Sequence, residues 1–337
     1  MSLLTPASEV IERHLEHFTD RHVILAGDIQ DELGATLEAA SVRVLTNQYH
    51  RWKNLQPTLG DNVVFATTVP AEFIQPCDTL IYFWPKNKQE AAFQLDDLCT
   101  HLAVGSQIFV VGENRSGVKS ADAIMEGIST LQKIDSARRC GLYHGELEHP
   151  TEFNISRWWR NYQLDNVVVN ALPGVFSNSE LDIGSDLLLS TLTEPMNGNV
   201  LDLACGNGVL AAVVGSQNPN VTLTLSDVSS AALDSATATL AANKLTGKII
   251  PSDVYSEIND KFDWIISNPP FHDGINTSYN AVETLISHAP KYLKKGGRLR
   301  IVANAFLPYP DLLDKAFGGH VVLAKTGKFK VYEAIKR

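Results

Sequence analysis

Two periods alternate along this chain. Short runs rich in Val, Ile and Leu are separated by segments in which apolar residues recur every three or four positions. From about Asn199 onward the runs are Val200-Leu201-Asp202-Leu203, Val221-Thr222-Leu223-Thr224-Leu225, Ile249-Ile250, Trp264-Ile265-Ile266 and Leu299-Arg300-Ile301-Val302. Between them, Ser229 to Leu245 sets Ala232, Leu233, Ala236, Leu240 and Leu245 near a helical period, with Gly247 as the expected C-cap. Such alternation predicts parallel strands joined by right-handed crossovers, a doubly wound α/β sheet. The end differs: His320 to Thr326, then Gly327-Lys328, then Phe329 to Ile335 predicts an antiparallel hairpin.

The first half repeats the plan. Val23-Ile24-Leu25-Ala26-Gly27-Asp28 opens it and Val42-Arg43-Val44-Leu45 follows. Asp78 to Pro85 stands where Asp263 to Pro270 stands later, and Leu102 to Val111 matches Leu293 to Val302. An internal duplication is therefore expected, with domains at 1-150 and 151-337; a length of 337 residues suits two cores. The first copy has neither the Gly-x-Gly turn nor the Asn-Pro-Pro tip of the second, so it is expected to be a degenerate copy serving substrate binding or support.

Composition narrows the class. Hydrophobic residues make up 44% of the chain, yet no apolar run approaches the roughly 18 to 20 residues that span a bilayer. Met1 to Phe18 has the look of a helix capped at Thr5-Pro6, not of an export leader, so a cytoplasmic protein without a membrane partner is expected. Cys77, Cys99, Cys140 and Cys205 stand far apart and are expected to be reduced and mostly buried; no histidine spacing implies a metal. Net charge is −10, but it is segregated. Residues 166–269 hold three Lys against eleven acids, whereas 270–337 hold eleven Lys and Arg against five acids. Candidate phosphate contacts are Lys291, Lys294, Lys295 and Arg298, then Lys328 and Lys330, and a third patch at Arg157 and Trp159.

The chemistry lies in two turns. Asp202-Leu203-Ala204-Cys205-Gly206-Asn207-Gly208 follows a strand and opens a helix, where glycines permit tight turning close to a ligand. Gly206 to Ala211 also fits the dinucleotide pattern, with Asp227 about twenty residues on, so a nicotinamide-dependent oxidoreductase is an alternative. A carboxylate at Asp202 suits a cationic ligand better than a pyrophosphate. The second turn, Ser267-Asn268-Pro269-Pro270-Phe271-His272-Asp273-Gly274, ends a strand with two residues that lack an N–H. It offers an amide, free carbonyls and a ring to a flat, amine-bearing substrate.

Asp202 to Gly208, Asp227, Asp253 and Asn268-Pro269-Pro270-Phe271 resemble, in order and spacing, the signature motifs of class I methyltransferases. The resemblance implies S-adenosylmethionine as cofactor, held by Asp202, Ala204, Gly206, Gly208, Asp227, Asp253 and Asn268. It also implies catalysis at Asn268, Pro269, Pro270 and Phe271, with the Asn oxygen and the Pro269 carbonyl accepting from the amine and Phe271 stacking on the base. Ala204 departs from the glycine usual there. The tip alone does not choose among adenine N6, guanine N2 and a protein glutamine amide. Leu172 to Ser177, Leu181 to Leu189 and Ala303 to Tyr309 together resemble the ribosomal RNA small subunit methyltransferase C family. That resemblance implies two tandem Rossmann-like domains, the first without cofactor, and methylation of a guanine N2 in 16S ribosomal RNA of the small subunit. A monomer is expected. The particular guanine, and whether naked RNA or the assembled subunit is used, are not written in the sequence.

Overall fold

The computed structural model describes residues 4–270 and 275–337, with backbone alone at 275–279. The chain divides into two compact units, one ending at Trp158 and the other beginning at Trp159. The division falls after, not at, residue 150 because the intervening segment packs on the helix Lys88–His101: Thr151 Oγ1 donates to the Asp96 carbonyl (2.5 Å), Trp158 Nε1 donates to the Asp96 carboxylate (3.1 Å), and Phe153 lies edge-on to Phe93.

The first unit contains β1 (His22–Gly27), β2 (Ser41–Thr46), β3 (Val63–Phe65), β4 (Thr79–Phe83), β5 (Gln107–Glu113), β6 (Gln132–Ala137) and β7 (Cys140–Glu146), ordered β3-β2-β1-β4-β5-β7-β6. The second begins with a hairpin, β8 (Arg160–Leu164) and β9 (Val167–Ala171). Its main sheet holds β10 (Gly198–Leu203), β11 (Val221–Asp227), β12 (Gly247–Pro251), β13 (Phe262–Ser267), β14 (Leu293–Asn304), β15 (Val321–Lys325) and β16 (Phe329–Ile335), ordered β12-β11-β10-β13-β14-β16-β15. The two orders are the same. In each, five strands run parallel and a closing hairpin is antiparallel, and a bulge recurs at its second or third residue, between Lys133 and Asp135 and between Val322 and Ala324. The predicted duplication and terminal hairpin are both present.

Both sheets are buried on two faces, which is why their strands read as apolar runs. In the second unit Val200, Trp264 and Ile266 point to one core with Leu188, Leu210 and Leu240, while Leu201, Ile265 and Leu299 point to the other with Val282, Ile286 and Leu313. All four cysteines are free and buried. The helix predicted to run to Leu245 stops sooner, as Ser230–Ala242. Lys244 takes the left-handed turn (φ 55°) expected of Gly247, and Gly247 instead starts β12.

Register gives the correspondence between the copies. Leu25 pairs with Val44 and Ile81 as Asp202 pairs with Leu225 and Ile266. Hence Leu25 replaces Asp202, Thr46 replaces Asp227 and Phe83 replaces Asn268. The strand ends differ too. In the first unit Asp28 N–H donates to the Phe83 carbonyl (2.8 Å), keeping β1 and β4 joined past their ladder. Gly27 makes this possible, since a Cβ there would lie 2.1 Å from that oxygen. In the second unit Cys205 N–H turns the other way, to Ser226 (2.9 Å), and the ends of β10 and β13 part. The first unit holds a cavity of about 10 Å³ bordered by Ala26, Leu45, Asn47 and Asp97, at the lower limit for one water.

Candidate active site

Three loops meet at the C-terminal edge of the second sheet. The turn after β10 runs through positive φ at Ala204 (57°), Gly206 (54°) and Gly208 (78°). The two glycines serve different ends. A Cβ on Gly206 would meet nothing within 4 Å, so this position is open to a ligand. One on Gly208 would press at 3.1 Å on the Ala236 backbone and at 3.2 Å on Leu225, so its role is close packing of the helix Val209–Gln217. Ala204 occupies the left-handed region at a cost of roughly 1–2 kcal/mol.

Asp227 closes the turn from β11. Oδ2 accepts the Gly206 N–H and Oδ1 the Ser229 N–H, both at 2.9 Å. Burial pushes its carboxyl pKa up while these backbone donors pull it back. Asp202 lies under the turn, fully buried, with Oδ2 accepting from Ala211 N–H (3.1 Å) in the first turn of the next helix. Among the described residues its Oδ1 has no partner, and burial raises the carboxyl well above its ordinary range, with Asp227 adding to the rise. A cation near this turn would offset that penalty. Asp253 is exposed in the turn after β12, its N–H held by Ser256 Oγ (3.0 Å).

Asn268 directly follows β13 and is half-buried. Its side-chain amine donates to Asp182 Oδ2 (3.0 Å) and Ser185 Oγ (2.9 Å). Those bonds fix which end of the amide is the amine, so Oδ1 is left as the acceptor. Asp182 is also the N-cap of the helix Ile183–Ser190, accepting Ser185 N–H at 3.1 Å. The last turn of that helix is held by Arg300, 2% exposed, which donates to the Thr191 carbonyl (2.7 Å) and pairs with Glu194 and Glu333. Behind the tip, Ser267 Oγ donates to the Leu203 carbonyl (2.7 Å) and ties β13 to β10. Pro269 is buried, Pro270 is exposed, and Phe271 lies outside the described residues. Asn207 holds the third loop: its amine donates to the Ser177 carbonyl (3.1 Å) and its oxygen accepts Val209 N–H (3.2 Å).

The basic candidates separate. Leu293 pairs with Phe262 at the start of β13, whereas Ser267 pairs with Ile301, so Lys291, Lys294 and Lys295 lie at the opposite end of the sheet from Asn268, about 15–20 Å away. Lys294 pairs there with Asp263 (2.8 Å). Arg298 sits over Trp264 and pairs with Glu333 (3.4 Å) and Glu194 (3.6 Å). Antiparallel pairing brings Lys330 beside Ala303 and Phe329 beside Asn304, so Lys328 and Lys330 are at the edge that carries the tip. Arg157 is exposed in the first unit and Trp159 half-buried in the second. Among the described residues, one trio has metal-ligand spacing: His14, Glu16 and His17 of the first unit, within 4.8 Å of one another.

Sequence reasoning named Asn268, Asp227 and the glycines but not Asp182, Ser185 or Asn207 individually. Asp182 carries an N-cap signal, an acid just before an apolar helix; its bond to Asn268 spans 86 residues and has no local signature.

The whole chain has relatives. The Methyltransferase small domain profile matches residues 166–333, and its N-terminal counterpart matches 8–162. "Ribosomal RNA small subunit methyltransferase C" of Photorhabdus laumondii is 62% identical over 337 residues, all of both chains, and that of Proteus mirabilis 59% over the same span. The chain belongs to the ribosomal RNA small subunit methyltransferase C family. A solved structure also shares the fold: the T. thermophilus 16S rRNA N2 G1207 methyltransferase in complex with AdoMet and guanosine, at TM-score 0.81 and 22% identity, covering 99% of this chain and 92% of that one. The Methyltransferase small domain match falls within the second unit, the one that carries the Gly206 turn.

Proposed function

We propose that the second unit transfers a methyl group from S-adenosylmethionine to the exocyclic N2 of a guanine in 16S ribosomal RNA, acting as a monomer in the cytoplasm on the small ribosomal subunit. The observation that carries this reading is the fixed Asn268 amide, its amine engaged by Asp182 and Ser185 and its oxygen left to accept, at the same sheet edge as the open Gly206 turn. When bound, S-adenosylmethionine supplies an electrophilic methyl on a sulfonium. Asp227 has lone pairs left for ribose hydroxyls, Gly206 lets the methionine part approach the backbone, and the role given to the exposed Asp253 is to accept from the adenine amine. The buried Asp202 favours the ligand's positive charge through its field, since it has no exposed surface.

Asn268 Oδ1 and the Pro269 carbonyl accept the two hydrogens of the guanine amine. Holding both in the base plane directs the nitrogen's remaining electron density out of that plane. Rate comes from this positioning and from exclusion of water. The nitrogen gains a bond to carbon, the carbon–sulfur bond breaks with its electron pair left on sulfur, and the surplus proton departs afterwards to solvent. No strong general base is needed. Lys328 and Lys330 supply phosphate contacts beside the tip. The first unit, with Leu25, Thr46 and Phe83 in place of the three functional residues, supports or binds substrate and takes no cofactor.

Incubation with methyl-labelled S-adenosylmethionine and small subunits, followed by digestion of the RNA to nucleosides, tests this. Label in N2-methylguanosine is expected; label in N6-methyladenosine or only in protein overturns it.

A further inference from the structure

Asn268 and Asp182 together present more than a positioned amide. Asp182 Oδ2 takes both the Asn268 amine and the Ser185 N–H, and among the described residues no donor reaches its Oδ1. Gly184 keeps the pair close: a Cβ there would lie 2.9 Å from Asp182 Oδ2 and 3.5 Å from Asn268 Nδ2. Among the described residues the pair thus leaves two acceptors, one on each residue, and Asp182 is half-buried. Guanine offers two adjacent donors, N1–H and the N2 amine. Adenine offers its N6 amine beside N1, which accepts, and a glutamine amide offers its amine beside a carbonyl. Only the guanine edge meets two acceptors without setting lone pair against lone pair, a mismatch that costs most where water is excluded.

We propose that Asp182 accepts the N1–H of the guanine whose N2 amine Asn268 holds, and so selects guanine over adenine. The proposal rests on the guanine-N2 reading above. It gives Asp182 a role in specificity beyond capping its helix.

The test uses small subunits reconstituted with 16S RNA carrying, at the nucleotide that the wild-type enzyme labels, either guanine or 2-aminopurine, which keeps the N2 amine but has no N1–H. Wild-type enzyme is expected to favour guanine in kcat/KM by about ten- to hundredfold, the scale of one well-made base contact. Asp182→Asn keeps a good N-cap residue while placing an amine where the free oxygen was. It is expected to lose guanine activity by a similar factor and to bring the guanine to 2-aminopurine ratio to about one or below, with S-adenosylmethionine affinity unchanged. A parallel fall on both substrates, ratio unchanged, would make Asp182 a cap alone. Wild-type enzyme that methylates both bases equally would overturn the proposal without any variant, leaving the guanine-N2 reading intact. Wild-type enzyme that labels no guanine N2 would overturn both.

Discussion

The backbone N–H of Gly206 donates to Asp227 Oδ2 across 2.9 Å, so the floor of the cleft and the carboxylate at its wall are one hydrogen-bonded piece. Asp227→Asn replaces one of two acceptors by a donor, setting an amine against either the Gly206 or the Ser229 N–H. Titration calorimetry should show S-adenosylmethionine affinity lowered by about ten- to hundredfold, and denaturation a loss of roughly 1–3 kcal/mol. Unchanged affinity would remove Asp227 from the cofactor site.

Asn268→Ala should separate binding from turnover. If the amide holds the acceptor as proposed, cofactor affinity is expected to stay within about twofold while kcat falls by roughly 10²–10³, the scale for removing one well-placed transition-state contact. Equal losses of both would count against the assignment.

Two substitutions in the turn should move stability in opposite directions. Ala204→Gly relieves a left-handed residue at φ 57° and, after the added unfolded-state entropy, should stabilise by about 0.5–1 kcal/mol. Gly208→Ala drives a methyl to 3.1 Å from the Ala236 backbone and should destabilise by about 1–3 kcal/mol. Urea midpoints compared side by side would show both signs.

The separated basic residues make a contrast that binding can measure. Lys328→Glu with Lys330→Glu should weaken 16S RNA binding and flatten its dependence on salt, whereas Lys294→Glu with Lys295→Glu at the far edge should do neither. Equal effects of the two pairs would mean that RNA does not follow the tip's edge.

A pH effect belongs to the first unit. Asp97 is buried, accepts Val69 N–H at 2.7 Å, and has its pKa raised to about 7, chiefly by burial. A raised carboxyl favours the folded state fully below its unfolded value near 4, and that contribution is lost as pH rises through about 7. Across this window the wild-type protein should lose about 1.4 kcal/mol per pH unit relative to Asp97→Asn. Parallel stability curves would show that Asp97 is not protonated in the folded chain.

The sheets were legible because strands covered on both faces leave apolar runs, and the two copies carry the same runs in the same order. The turn from Ala204 to Gly208 was legible because left-handed geometry restricts residue choice. Less so were features made by distant partners. Arg300 is a lone charge in the run Leu299 to Val302, and its partners Glu333, 33 residues later, and Glu194, 106 residues earlier, which draw it into the interior, leave no local signature. Asp182 was visible as a helix start but not as the residue that orients Asn268. The helix end at Asn243 was missed because Lys244, not a glycine, turns left-handed.

The bond from Asp28 to the Phe83 carbonyl bears on whether the amino-terminal copy could ever be revived. Writing the missing aspartates and asparagine back into it would decorate a seam that is already zipped shut. A cleft like that of the second unit would first require this backbone pair to part, so exchanging side chains alone would leave the strand ends joined.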